Sequence, residues 1–154
     1  MRIFLSGIIQ GSHAGTQIHD QDYRDELKEI IREWLPAAEV VCPIDRHPNG
    51  IAYGPEDSRR AFFGLVEEAA AADIVIAYIP EASMGTAIEM WEAHKAGRPV
   101  VTITPLRHNW VVNLLSARVF GTAAEFAAFI QVGGLEELAS PTARKDAETA
   151  GGRS

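Results

Sequence analysis

The chain has 154 residues, 47% of them apolar, a single cysteine and a net charge of −7. One domain is expected, large enough to bury a sizeable core. The acidic balance speaks against a nucleic-acid surface or an anionic membrane, and no apolar run approaches the roughly 20 residues of a membrane span. With Cys42 alone no intrachain disulfide forms, and MRIFLSG runs into a strand with no signal-peptide pattern, so a cytoplasmic protein is expected.

In chain order, Arg2–Leu5 reads as a strand and Ser6–Gly15 as a loop carrying Gly7, Gly11 and Gly15. Ile18, Tyr23, Leu27, Ile30, Ile31 and Trp34 keep a helical period, which predicts a helix over Asp20–Leu35. Asp20 and Asp22 suit its first turn, and Pro36 ends it. Glu39–Cys42 is a short strand, and Pro43–Pro55 a long loop. A helix over about Glu56–Ala72 presents Ala61, Phe62, Leu65, Val66 and Ala69 on one face. The apolar run that opens at Asp73 is a buried strand broken at Pro80, and a helix restarts near Met84 and stops before Gly97. Val100–Thr104 is a further strand, Asn109–Ser116 a short helix and Arg118–Phe120 a last strand. Thr122-Ala-Ala-Glu125 is a capping box opening a final helix. Residues 140–154, polar and rich in Gly, Ala and Ser, are expected to form a disordered tail behind a single domain over residues 1–139.

Alternating strands and helices predict an α/β fold: a doubly wound, flavodoxin- or Rossmann-like parallel sheet of about five strands with helices on both faces. In the order 2-1-3-4-5 the switch point lies between the first and third strands, so Ser6–Gly11 should face Pro80–Glu89 across one crevice. Gly85 allows close backbone approach there, and the N–H groups opening the following helix suit an anion. Glu89 follows one turn later, a carboxylate near the same mouth. SGIIQGSHAG is neither GxGxxG nor a Walker loop, so no cofactor is expected. His13, His19 and His47 lie in loops near the crevice without metal-ligand spacing, so no metal is expected either.

Three blocks carry a family resemblance: FLSGIIQG, AADIVIAYIPEASMGTAIEMWEAHKAGRPVV and NWVVNLLSARVF. Together they resemble the nucleoside 2-deoxyribosyltransferase family, which includes hydrolases of 2′-deoxynucleoside 5′-phosphates and of CMP. The resemblance implies that Glu89 is the nucleophile that attacks C1′ of the sugar and expels the base. Water would then complete a hydrolase cycle, or a second base a transferase cycle. Ser83 stands where relatives that act on free nucleosides carry an acid and those that act on 5′-monophosphates carry serine; alternatively it is a plain helix N-cap. Asn113, with Ser116 beside it, matches the residue that reaches into a neighbouring subunit's site, which implies a homodimer or higher homo-oligomer with shared active sites. The substrate-binding set is then Ser6, Gly7, Ile8, Gly11, Ser83, Gly85, Asn113 and Ser116, and the partner is a small-molecule nucleoside or nucleotide. There is one departure: where the family has an aspartate, this chain has Leu65, and spacing does not show whether Asp45, Glu56 or Asp57 replaces it.

Arg59, Arg60, Arg107 and His108 read as surface charges more than as phosphate ligands. Phe62, Phe63, Trp34 and Trp91 read as core or subunit interface, Tyr78 as core, and Trp110 as interface. Two other readings stay open: a non-catalytic nucleotide-sensing module on the same fold, suggested by Leu65, and a lysine-decarboxylase-like phosphoribohydrolase. MGTAIE resembles the motif of the latter without its preceding Pro-Gly-Gly.

Overall fold

The computed structural model describes residues 1–140. Five strands form one sheet: β1 (Arg2–Gly7), β2 (Glu39–Val41), β3 (Ile74–Tyr78), β4 (Val100–Ile103) and β5 (Arg118–Phe120). All pairings are parallel, in the order β2-β1-β3-β4-β5, as the sequence predicts.

The strands are mostly apolar on both faces because helices cover both, and the two-residue period divides their side chains between two cores. Ile3, Leu5, Ile74, Ile76, Val101 and Ile103 point to the face covered by α1 (Asp22–Trp34), α6 (Ala123–Gln131) and α7 (Gly134–Ala139), where they meet Leu27, Ile31, Phe126, Ile130 and Leu135. Phe4, Val75, Ala77 and Val100 point to the other face. There α3 (Pro55–Ala71), α4 (Met84–Lys95) and α5 (Trp110–Leu115) supply Ala69, Met90, Ala93 and Val112.

Helix boundaries follow local chemistry. Asp20 Oδ1 accepts the Asp22 N–H at 2.8 Å, so α1 opens two residues later than its apolar period suggests. Thr122 Oγ1 accepts the Glu125 N–H at 3.1 Å, while the Glu125 carboxylate reaches back to the Gly121 N–H at 2.6 Å, one residue beyond a standard capping box. Two expectations change. The Pro43–Pro55 loop holds a helical turn, α2 (Pro43–Arg46), opened by proline at a position that needs no N–H, followed by a 3₁₀ turn over Gly50–Ala52. The final helix is two helices, because Gly133 takes a left-handed conformation (φ 81°) between α6 and α7. The expected disordered tail lies, but for Ser140, outside the described residues. No helix among the described residues is long and apolar enough to cross a membrane.

The α6–α7 corner is testable. A side chain at Gly133 meets no neighbour, so its cost is backbone strain alone. Gly133→Ala is expected to lower stability by roughly 1–2 kcal/mol in urea denaturation, the usual cost of the left-handed region.

Candidate active site

The crevice forms where the chain leaves β1 and β3 in opposite directions. Ser6 pairs with Ala77 and Gly7 with Tyr78, so the ends of both strands lie side by side. Beyond them opens a cleft of about 500 Å³. Its walls come from the loop after β1 (Ile9, Gln10, Gly11), the segment after β2 (Ile44, His47, Ile51, Tyr53), α3 (Ser58, Phe62, Leu65) and the start of α4 (Ser83, Gly85, Glu89).

Glu89 is the buried acid of this site, only 7% exposed although it lies on the wall. The Ser6 hydroxyl donates a hydrogen bond to its Oε2. Burial pushes the Glu89 carboxyl up to about 7; the Ser6 hydrogen bond and the charge of Arg24 pull the other way and do not cancel the desolvation. The result is a carboxyl divided between its two forms near neutral pH, the condition in which a side chain is useful in chemistry.

The glycines are dictated by close approach. A side chain at Gly7 would collide with the Tyr23 hydroxyl, which donates to the Ile8 carbonyl at 3.1 Å. Gly11 has φ +56°, and its missing side chain leaves room for Ile8 and the His19 ring. At Gly85 a side chain would enter open space, so the backbone stays accessible from the cleft. Ser83 caps α4: its Oγ accepts the Thr86 N–H at 3.4 Å and the Thr86 hydroxyl at 2.9 Å. Capping and facing the cleft are compatible, and Ser83 does both.

Of the sequence-predicted set, Gly7, Gly11, Ser83, Gly85 and Glu89 line the cleft. Ser6 lies behind the wall and acts through Glu89, and Ile8 is fully buried beneath the loop. Asn113 and Ser116 do not line this chain's cleft. The Asn113 side-chain amide donates to the Arg107 carbonyl at 2.8 Å, and the Ser116 and Thr102 hydroxyls are 2.7 Å apart. Leu65 is part of the wall, and none of the proposed substitutes for an acid there joins it: Asp45 binds Lys28 at 2.7 Å, Asp57 binds Arg60 at 2.8 Å, and Glu56 is exposed. Asp73 accepts the Arg2 N–H at 2.8 Å, at the start of the strands, away from the cleft. Phe62, read from sequence as core or interface, is on the cleft wall instead, because α3 turns its apolar face partly toward the opening. Trp91 and Phe63, about half exposed, are likewise not core. Among the described residues no cluster of His, Cys, Asp and Glu could hold a metal ion.

Two polar residues, Tyr53 and Arg24, were not singled out by the sequence, and His47 was placed near the crevice without a role. His47 and Tyr53, joined by a 3.3 Å contact between Nδ1 and the hydroxyl, share the wall with Glu89. Arg24 is 2% exposed on α1. A signal for it existed: Arg24 lies three and seven residues before Leu27 and Ile31, on the buried stripe of the helix, where a charge requires a purpose-built surrounding.

No protein-family model and no curated protein matches the chain. Solved structures do. A conserved protein from Enterococcus faecalis V583 aligns with a TM-score of 0.63 at 21% identity over 85% of this chain and 97% of that one. A 2-deoxyribosyltransferase from Bacillus psychrosaccharolyticus aligns at 0.62 and 17% identity over 82% and 90% of the two chains. A CMP N-glycosidase from Clostridium botulinum aligns at 0.51 and 16% identity over 86% and 98%. The chain has the 2-deoxyribosyltransferase fold.

The raised Glu89 carboxyl has a consequence for stability. A group that holds its proton more tightly when folded stabilises the protein fully below its ordinary value of 4.5, and this contribution is lost as pH rises through about 7. Glu89→Gln, neutral throughout, escapes that loss. The variant should gain about 2–4 kcal/mol over the parent at pH 8, and the gain should vanish below pH 4.5. Urea denaturation across this range measures it.

Proposed function

We propose that the protein is a member of the nucleoside 2-deoxyribosyltransferase family that cleaves the N-glycosidic bond of a nucleoside or nucleoside 5′-monophosphate, with Glu89 as nucleophile and water as the final acceptor. The observation that carries this reading is a single buried carboxyl on the cleft wall, oriented by the Ser6 hydroxyl. In the first step a Glu89 oxygen attacks C1′ while the bond from C1′ to the base breaks; the bonding pair leaves with the base, which takes up a proton. In the second, water adds to C1′ and loses a proton, and the glycosyl ester opens to return the carboxylate. His47 and Tyr53, on the same wall, are side chains of the types that serve as general acids for a departing base. This chemistry requires no cofactor.

The remaining walls suit such a substrate. Ile44, Ile51, Phe62 and Leu65 offer apolar surface to a planar base. Ser83, Gly85 and the first N–H groups of α4 suit the 5′ end, whether hydroxyl or phosphate. Two proteins of this fold are named for transfer and for hydrolysis, so the fold is compatible with either. Ser83, in place of an acid, weighs for a 5′-monophosphate and for hydrolysis. Asn113 shares α5 with Trp110 and Leu114, which are 82% and 73% exposed, so this helix offers an apolar face to a second copy. In that homo-oligomer Asn113 and Ser116 would serve a neighbour's cleft. A cytoplasmic location fits a nucleotide substrate.

The purified protein, given a panel of ribo- and deoxyribonucleosides and their 5′-monophosphates, is expected to release free base, measured by chromatography. Release should rise with pH through about 7, because only ionised Glu89 attacks, and should be lost in Glu89→Ala. Release that persists in the variant overturns the nucleophile. Nucleotide binding without release, even with a second base as acceptor, would favour the sensing module, a reading that the apolar Leu65 wall supports. Ser83→Asp should separate the two substrate classes. A carboxylate beside the 5′ end is expected to cut kcat/KM for 5′-monophosphates at least tenfold, about 1.4 kcal/mol, while sparing free nucleosides.

A further inference from the structure

Arg24 is the cation that the reaction above leaves without a role. Its guanidinium is satisfied by neutral groups: Nη1 donates to the Leu5 carbonyl at 2.9 Å, Nη2 to the Gly7 carbonyl at 3.0 Å and Nε to Gln21 Oε1 at 2.7 Å. Nη1 also meets Cys42 Sγ at 3.6 Å. Among the described residues no carboxylate lies within 4.0 Å of it, unlike the paired surface arginines Arg60 and Arg107. A buried charge without a counter-ion is costly, and a Met or Leu would fill the same space on the apolar stripe of α1.

The hydrogen-bond pattern suggests why it is there. Leu5 and Gly7 are the two residues flanking Ser6, so the planar fork fixes the Leu5–Ser6 peptide and the Gly7–Ile8 peptide, holding the backbone on either side of the residue that holds Glu89. Resting on the reading of Glu89 as nucleophile, we infer that Arg24 is a positioning residue for the reaction: it clamps the backbone around Ser6 and places a fixed positive charge behind the Ser6–Glu89 pair that favours the ionised carboxylate.

The other groups around Glu89 do not supply that charge. From β1 comes the neutral Ser6 hydroxyl, and from α1, beside Arg24, the Tyr23 phenol, which burial holds well above its ordinary value. Tyr78 from β3 stacks on Tyr23 at 4.1 Å, and Cys42 follows β2, buried as well. His47 and Tyr53 stand on the cleft wall, α3 offers only the Ser58 hydroxyl among apolar groups, and α5 has no titratable residue. Ser83 and Thr86, on α4 itself, are neutral. The charge of Arg24 also holds the Glu89 carboxyl down against its desolvation.

Arg24→Gln and Arg24→Lys separate the two parts of this role. The titration of Glu89 is followed in both by carboxyl NMR with isotope-labelled glutamate, which needs no substrate, and base release is followed in parallel across pH. In Arg24→Gln the Glu89 midpoint is expected to rise by about one unit or more, so that release at pH 6 falls about tenfold and recovers in part at high pH. In Arg24→Lys, which keeps the charge and loses the fork, the midpoint should stay within about half a unit of the parent while kcat falls at every pH. An unmoved midpoint in folded Arg24→Gln, or equal shifts in both variants, overturns the inference. Should Arg24→Gln fail to fold, Arg24→Lys alone decides, because a rise of a full unit there would exclude the charge. If the parent releases no base from any substrate, the reading of the cleft fails, while the NMR midpoints still report whether Arg24 governs Glu89.

Discussion

A carboxylate taken out of water must be met by donors that its surroundings hold still, and in this protein the Ser6–Glu89 hydrogen bond meets that need. It joins the end of β1 to the second turn of a helix more than eighty residues later in the chain. The contact exists only because β3 pairs beside β1 in parallel register, so that α4 springs from the sheet next to the residue where β1 ends. A slip of one residue in that pairing would turn Ser6 to the opposite face and give the carboxylate an apolar neighbour. The two-core packing protects the register, since the same slip would also exchange the side chains of both cores.

The cleft works against ionisation of its own acid. Leu65, Phe62 and Ile51 give the wall apolar surface, and the burial of Glu89 beside them penalises its charge. Desolvation prevails, leaving the carboxyl at about 7, where a substantial fraction remains ionised at neutral pH. A carboxylate held there is less well hydrated than one on the surface, and the proposed attack on C1′ would begin from a less stabilised anion. The absence of a second acid at Leu65 fits this balance, because two carboxylates in one dry cleft would raise each other further.

Much of this was legible in the sequence, and the reasons are physical. Buried parallel strands announce themselves as continuous apolar runs, and with five of them separated by helices few right-handed arrangements remain, so strand order followed. The switch point showed where a cleft should open, but Glu89 was legible as its acid only through the resemblance of Gly85-x-x-x-Glu89 to the family motif. Residues that act from other elements were harder to read. Phe62 and Leu65 share the face of α3 that packs on the core, and periodicity cannot tell a core wall from a cleft wall when one face serves both. The short turns within Pro43–Pro55 carry His47 and Tyr53 into the cleft, and a loop that long has no period to read. Asn113 lies outside this chain's cleft, exposed on α5, so the contacts within one chain give it no place in the site.

Arg24 shows most clearly how function departs from folding economy. The helix needs an apolar residue at that position, and the rest of its stripe, Leu27 and Ile31, is apolar. A guanidinium there must find acceptors, and it finds them in carbonyls at the end of β1 that no neighbouring strand uses. Those carbonyls belong to the last residues of the strand, where pairing gives way to the loop, so a polar fork can serve them without breaking the sheet. The same place is where a site must form, because only beyond the strand ends are backbone groups unpaired and space open. A charge that would be a defect in mid-sheet is therefore tolerable at this boundary, beside the buried Glu89 carboxylate that benefits from it.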